Sequence, residues 1–177
     1  GNTPDLMTIA KGLTSGYIPM GGLTVSDKVF DVIKTAGDFN HGFTYSGHPV
    51  AAAVALENIR ILRDEKIIER VCEETAPYLQ KRLRELLDHP LVGEVRGVGM
   101  LGAIELVKDK ATRARFEGKG AGMICRGHCF NNGLIMRAVG DTMIISPPLV
   151  ISKAEIDELV TKARLCLDLT AEALLAH

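Results

Sequence analysis

Three places in this chain carry side chains able to do chemistry. The first is Lys11, in Ile9-Ala10-Lys11-Gly12-Leu13, which ends an apolar stretch and opens a Gly-bearing loop. A lysine adds to a carbonyl only as the free amine, and its ordinary pKa is about 10.4, so apolar neighbours that disfavour the cation would help it react. A solvated lysine that merely begins a loop is the plain alternative. The second place is His41-Gly42-Phe43-Thr44-Tyr45-Ser46-Gly47-His48-Pro49, where glycines and hydroxyls run into a helix start. Exposed amides and hydroxyls of that kind suit a phosphate, although similar loops also do no more than cap a helix. Its two histidines share no helical spacing with a carboxylate, so no metal is expected there. The third is Arg137, in Leu134-Ile135-Met136-Arg137-Ala138-Val139. Strand alternation puts it on one face with Ile135 and Val139, where a guanidinium needs an anion and a substrate carboxylate fits its planar fork. Pairing with Asp141, or snorkelling to water from an edge strand, would answer the same need.

These residues need elements to aim them. Residues 1–48 are rich in Gly, Ser and Thr, with a strand-like stretch at Gly21–Val25 and an amphipathic helix at Asp27–Lys34. Asn40–His48 is a long loop of the kind that carries function. Pro49 suits a first helical turn, and the apolar and alanine run behind it predicts a buried helix through Ile61. A second helical pattern runs from Asp64 to Leu87, with Pro77 expected to kink or restart it.

Beyond it the pattern alternates. Val92–Val98 and Leu101–Val107 read as strands, Ala121–Asn132 as a helix stopped by Gly133, and Leu134–Val139 and Thr142–Ser146 as strands joined by a Gly140-Asp141 hairpin. Ser152 and Glu155 form a capping box for a last helix with Ile156, Leu159, Val160, Ala163 and Leu167 on its apolar stripe.

Composition narrows the function. The 177 residues are 46% hydrophobic and 24% charged, with 21 basic against 22 acidic side chains, which describes a globular chain. No basic stripe with interleaved aromatics points to nucleic acid, and Trp is absent. No apolar run reaches the roughly 18 residues that cross a bilayer, and the opening GNTPDLMTIA has no signal-like core. Cys72, Cys125, Cys129 and Cys166 lie in helical stretches. Cys125 and Cys129 stand one turn apart, but no second Cys/His pair completes a metal set, and buried thiols of a cytoplasmic protein are the expectation. The opening on Gly1, with functional-looking sequence at once, is what a piece of a longer chain would show.

Taken together, the motifs resemble the class III aminotransferases, the family of omega-amino acid and amine:pyruvate transaminases. The resemblance rests on Pro4-Asp5-Leu6-Met7-Thr8-Ile9-Ala10-Lys11-Gly12-Leu13, Gly16-Tyr17-Ile18-Pro19-Met20-Gly21-Gly22 and the His41 to Pro49 loop. It continues through Gly93-Glu94-Val95-Arg96-Gly97-Val98-Gly99, Ile104-Glu105-Leu106, Gly133-Leu134-Ile135-Met136-Arg137 and Ser146-Pro147-Pro148-Leu149.

The resemblance implies an α/β fold: the C-terminal part of the large domain of a type I pyridoxal-phosphate (PLP) enzyme over residues 1–63, then a connecting helix and small α+β domain over 64–177. It implies that Lys11 binds PLP as a Schiff base and shuttles the proton between the substrate α carbon and the cofactor C4′ carbon. Phe43 and Thr44 would reach the phosphate of the other subunit's cofactor in a homodimer with shared active sites. Arg137 would grip a substrate carboxylate and swing aside for an amine that lacks one. The implied reaction moves an amino group from an amine or omega-amino acid to pyruvate or a similar keto acid.

In this family the aspartate facing the pyridine nitrogen, the stacking aromatic and the first phosphate loop all precede the lysine, and none is in this sequence. The 177 residues alone are therefore expected to lack transaminase activity. An aminomutase or decarboxylase of the same family, or a non-catalytic dimerisation module, are the alternatives.

Overall fold

The structure, a computed structural model, describes residues 2–118 and 120–175. The chain divides into two compact units, Gly1–Lys66 and Ile67–His177.

In the first unit, β1 (Leu6–Ala10) and β2 (Gly21–Val25) pair antiparallel, from Leu6 opposite Val25 to Ala10 opposite Gly21. Their connection begins with a single 3-10 turn, Lys11–Leu13. Helix α1 (Asp27–Ala36) follows, then the loop, then α2 (Pro49–Asp64) with its proline in the first turn. Among the described residues of this unit only Thr14, Ala51 and Ala55 are buried. A two-stranded ribbon is marginal in water, and this unit has no hydrophobic core of its own.

The buried helix expected after Pro49 is therefore corrected. Only the Ala51–Ala55 stripe of α2 is covered, while Val50, Leu56 and Ile59 remain exposed. Asn58, further along the same stripe, bonds the Lys11 turn, and the larger apolar side chains project elsewhere.

The second unit is a two-layer α+β arrangement. Helix α3 (Ile67–Arg70) passes through a π-helical turn, Val71–Thr75, into α4 (Ala76–Arg84) and a 3-10 turn, Glu85–Asp88. Pro77 explains the irregularity. It has no N–H to donate, its ring would collide with the carbonyl four residues back, and the widened turn just before it relieves both.

Strands β3 (Val92–Val98), β4 (Leu101–Leu106), β5 (Arg137–Val139) and β6 (Thr142–Ile145) form an antiparallel sheet ordered β3-β4-β6-β5. Alternation is clean on the inner strands: Gly102, Ile104, Leu106, Met143 and Ile145 are buried, while Ala103, Glu105 and Thr142 face outward. The buried face and the helices α4, α5 (Ala121–Asn131) and α6 (Lys153–Leu175) share a core of Leu79, Leu83, Leu86, Val92, Ile156 and Leu167. Tyr78 Oη donates to Asp157 Oδ1 at 2.7 Å and Arg82 Nε donates to the same atom at 2.8 Å, tying α4 to α6.

The α6 capping box is present: Ser152 N–H donates to Glu155 Oε2 at 2.7 Å, and Glu155 N–H donates back to Ser152 Oγ at 3.2 Å. One strand is shorter than its sequence suggests. Leu134 N–H is taken by Cys129 O at the end of α5, at 2.9 Å, and the ladder begins only at Arg137.

All four cysteines are in helical segments and free; Cys125, Cys129 and Cys166 are buried and Cys72 is exposed. Their neighbours set the thiols apart. A hydrogen bond with Cys129 holds Cys125 below the usual thiol range, the same bond drives Cys129 far above it, and burial raises Cys166. Among the described residues no group of three or more His, Cys, Asp or Glu could hold a metal ion, and no helix is long and apolar enough to cross a membrane.

Candidate active site

Lys11 begins the 3-10 turn at the end of β1, and its backbone is left-handed, with φ +51°. Ser15, two residues beyond that turn, is left-handed too, with φ +48°. Non-glycine residues avoid this region unless their surroundings hold them there. Thr14 supplies part of the hold. It is buried, its N–H bonds Lys11 O at 3.2 Å, and its Oγ1 donates to Ile18 O at 2.7 Å.

A second restraint comes from α2. Asn58 Nδ2 donates to Gly12 O at 2.9 Å and to Leu13 O at 3.1 Å, while Asn58 Oδ1 accepts from Ser15 Oγ at 2.7 Å. The turn carries Lys11 onto the wall of an open cavity of about 620 Å³, shared with Ala10, Thr14, Ile18, Pro19 and Met20. Apart from the lysine and one threonine, that lining is apolar. The ammonium makes no ion pair among the described residues.

The loop before α2 is organised by a short turn. Ser46 N–H donates to Phe43 O at 2.9 Å, and Phe43 N–H donates to Ser46 Oγ at 3.0 Å. The rings of Phe39, His41 and Phe43 meet edge to face in sequence. Phe43 and Tyr45 are exposed, and Gly47 takes a left-handed φ of +69° that lets the chain turn into α2. Thr44 is exposed at the apex. With the Phe43 amide committed to Ser46, the Thr44 N–H and Oγ1 remain without partners among the described residues. Lys11 and Thr44 make no hydrogen bond with one another; α2 is the element that touches the Lys11 turn and begins where the Thr44 loop ends.

Arg137 belongs to the second unit and opens β5, opposite Ile144 of β6. The face it shares with Ile135 and Val139 is exposed, whereas Leu134 and Met136 on the other face are buried. The guanidinium has no carboxylate partner among the described residues. Asp141, the acid expected from the sequence to compete for it, is engaged elsewhere: its Oδ1 accepts Gly122 N–H at 3.0 Å.

Asn58 and Ser15 are the site residues that sequence reasoning missed. A signal existed for Asn58, a carboxamide on the same stripe of α2 as the buried Ala51 and Ala55, where an apolar residue would otherwise stand. Ser15 gave none, because a loop serine has many uses.

A lysine on a held, left-handed turn beside an apolar cavity, and a free hydroxyl at a loop apex, are parts that a cofactor-dependent transferase uses. The family model for class-III aminotransferases matches residues 1–167, and this chain belongs to that family, with the α/β fold of the type I PLP enzymes. A putrescine–pyruvate aminotransferase of Pseudomonas aeruginosa is 74% identical over 176 residues, covering 99% of this chain and 39% of the relative. Gamma aminobutyrate transaminase 1 of Solanum lycopersicum, mitochondrial, is 44% identical across 89% of this chain and 31% of its own length. A thermostable (S)-enantioselective omega-transaminase from Thermomicrobium roseum superimposes with a TM-score of 0.90 at 42% identity, over 96% of this chain and 38% of that one. The chain thus spans 39% of the length of the putrescine–pyruvate relative and 31% of the tomato one.

Proposed function

We propose that the full-length polypeptide containing these residues transfers an amino group from an amine or omega-amino acid to pyruvate or a similar keto acid, using PLP held by Lys11. The observation that carries this reading is the Lys11 turn, whose strained backbone is fixed from two sides and whose side chain borders an apolar cavity. The relative named for putrescine and pyruvate, at 74% identity, supports the choice of amine and acceptor.

The residues present fit the cofactor. Lys11 Nζ would hold the aldehyde carbon, and the unpartnered Thr44 Oγ1 and N–H would donate to phosphate oxygens. When bound, PLP supplies an electron sink for the negative charge that develops at the substrate carbon. With the substrate amine bound in its stead, Lys11 Nζ would be the base that takes the proton from that carbon and later gives it up again. Arg137 receives the carboxylate of a keto acid or amino acid, and because no carboxylate among the described residues restrains it, it can move aside for an amine that lacks one. Two copies sharing sites, with the Phe43–Thr44 turn of each serving the other's cofactor through Thr44, complete the reading. A cytoplasmic location belongs to the same reading, and the four free thiols support it.

The test uses the full-length protein loaded with PLP. Borohydride reduction should fix the cofactor to the peptide containing Lys11, and amine plus pyruvate should yield alanine. Turnover that survives Lys11→Ala, or a label on another lysine, would overturn the proposal.

A further inference from the structure

We infer that Asn58 is a positioning residue for Lys11, acting by locking the left-handed turn through its carboxamide. The inference rests on the reading of Lys11 as the cofactor lysine. Lys11 and Ser15 both hold positive φ, and neither is a residue type that adopts it freely. Such a conformation persists only where neighbours over-determine it.

Between these two residues lie the two carbonyls that Asn58 bonds, Gly12 O and Leu13 O, and the hydroxyl it accepts from belongs to Ser15 itself. One amide group therefore spans the chain from Gly12 to Ser15. Only a carboxamide at this length satisfies all three: its NH2 donates twice and its oxygen accepts once. An aspartate would present lone pairs to two carbonyl oxygens. A leucine would leave both carbonyls and the hydroxyl without it.

The consequence for chemistry is directional. The Cα–Cβ bond of Lys11 leaves the backbone along a line set by φ, so relaxation of this residue to an ordinary negative φ swings the whole side chain away from the cavity wall. Helix α2, which carries Asn58, also begins directly after the Phe43–Thr44 turn, and its buried Ala51 and Ala55 lie on the same stripe. The same rigid element thus fixes the root of Lys11 and the exit of the Thr44 loop. A misplacement of about 1 Å is enough to cost on the order of a hundredfold in rate where geometry is decisive.

The test compares Asn58→Ala, Asn58→Asp and Ser15→Ala in the full-length, PLP-loaded protein. For Asn58→Ala, kcat should fall about tenfold or more with the amine KM nearly unchanged, as expected when only reacting-state geometry is lost. The pH midpoint of the visible band of the Lys11-bound cofactor should shift, and the Thr14 and Ser15 amides should lose hydrogen-exchange protection. Asn58→Asp should recover part of the rate at acid pH, where the protonated carboxyl can donate one bond, and fall to the alanine level once ionised. Ser15→Ala should have a smaller effect that disappears in the Asn58→Ala background.

Wild-type kcat and a wild-type band midpoint in a folded Asn58→Ala protein would overturn the inference. Should that variant not fold, freely exchanging Thr14 and Ser15 amides in the wild type, or a Ser15→Ala protein with unaltered kcat and band, would overturn it equally. Loss of the borohydride label from Lys11 in the wild type would instead sink the reading of Lys11 itself, so the two failures are distinct.

Discussion

His89 Nε2 stands 3.2 Å from Asp168 Oδ1, while the other nitrogen of the same ring, Nδ1, accepts the Leu91 N–H at 3.1 Å. Since Nδ1 is an acceptor, the neutral ring carries its proton on Nε2 and donates it to Asp168. The side chain is only 3% exposed, so it joins the turn before β3 to α6 inside the second unit. Lys110 Nζ adds bonds to Leu87 O and His89 O on the same segment.

Removing this ring should be costly. His89→Ala strips the Leu91 amide of its acceptor in a buried setting, which is expected to destabilise by about 1–3 kcal/mol. His89→Asn, whose side-chain oxygen can still accept from Leu91, should lose less. Denaturant midpoints of the two variants, compared at constant slope, check the order.

Gly122 and Gly127, both on α5, should respond in opposite ways to alanine. A Cβ on Gly122 would lie 2.1 Å from Gly140 O and 3.1 Å from the Asp141 Cα, and neither backbone atom can yield cheaply. Gly122→Ala should therefore destabilise by about 1–3 kcal/mol. It should also disturb the Gly140–Asp141 turn that joins β5, the strand of Arg137, to β6. Gly127 has nothing within 4 Å, so Gly127→Ala should stabilise by up to about 1 kcal/mol through helix propensity alone. Thermal melts of both variants, read together, decide the point.

Arg137 should discriminate between substrates. Arg137→Ala should raise KM for a keto acid or omega-amino acid roughly tenfold to a hundredfold, the equivalent of losing a charge-assisted hydrogen bond of about 1.5–3 kcal/mol. It should leave KM for a simple amine nearly unchanged. Arg137→Lys should recover only part of the loss, because an ammonium cannot offer two parallel bonds. Steady-state kinetics on paired substrates, with and without a carboxylate, test this directly.

The Tyr78–Asp157 contact should appear in acid unfolding. The Tyr78 hydroxyl, and after it Arg82, hold the Asp157 carboxyl below its ordinary value. A carboxylate with a lowered folded pKa contributes stability that is complete above its unfolded value, about 3.9, and is lost as pH falls through the lower folded value. The unfolding midpoint should drop across that acid range, and Asp157→Asn should flatten this part of the profile. An unchanged profile in Asp157→Asn would contradict the assignment.

Local signals carried much of the fold because the physics behind them is local. The Ser152–Glu155 capping box, the Gly140-Asp141 hairpin and the alternation of Ile104, Leu106, Met143 and Ile145 depend on caps, turn geometry and a period of two. Pro77 announced an irregularity, although only the packed helix shows that a π turn absorbs it. The strand expected from Leu134 fails at its start because Leu134 N–H finds a nearer acceptor in Cys129 O, a competition between two partners that residue types alone do not rank.

By itself the sequence determined which residues could react and in what order they occur: a lysine after an apolar strand, a hydroxyl-bearing loop before a proline-started helix, an arginine on a strand face. Tertiary structure decided how they are held. The left-handed backbone at Lys11, its brace from Asn58 in α2, the commitment of the Phe43 amide to Ser46 and the capture of Asp141 by Gly122 are all set by which groups packing brings within hydrogen-bond reach. Side-chain chemistry is written residue by residue, whereas the direction and freedom of a side chain depend on neighbours that stand far away in the chain, and only folding brings those together.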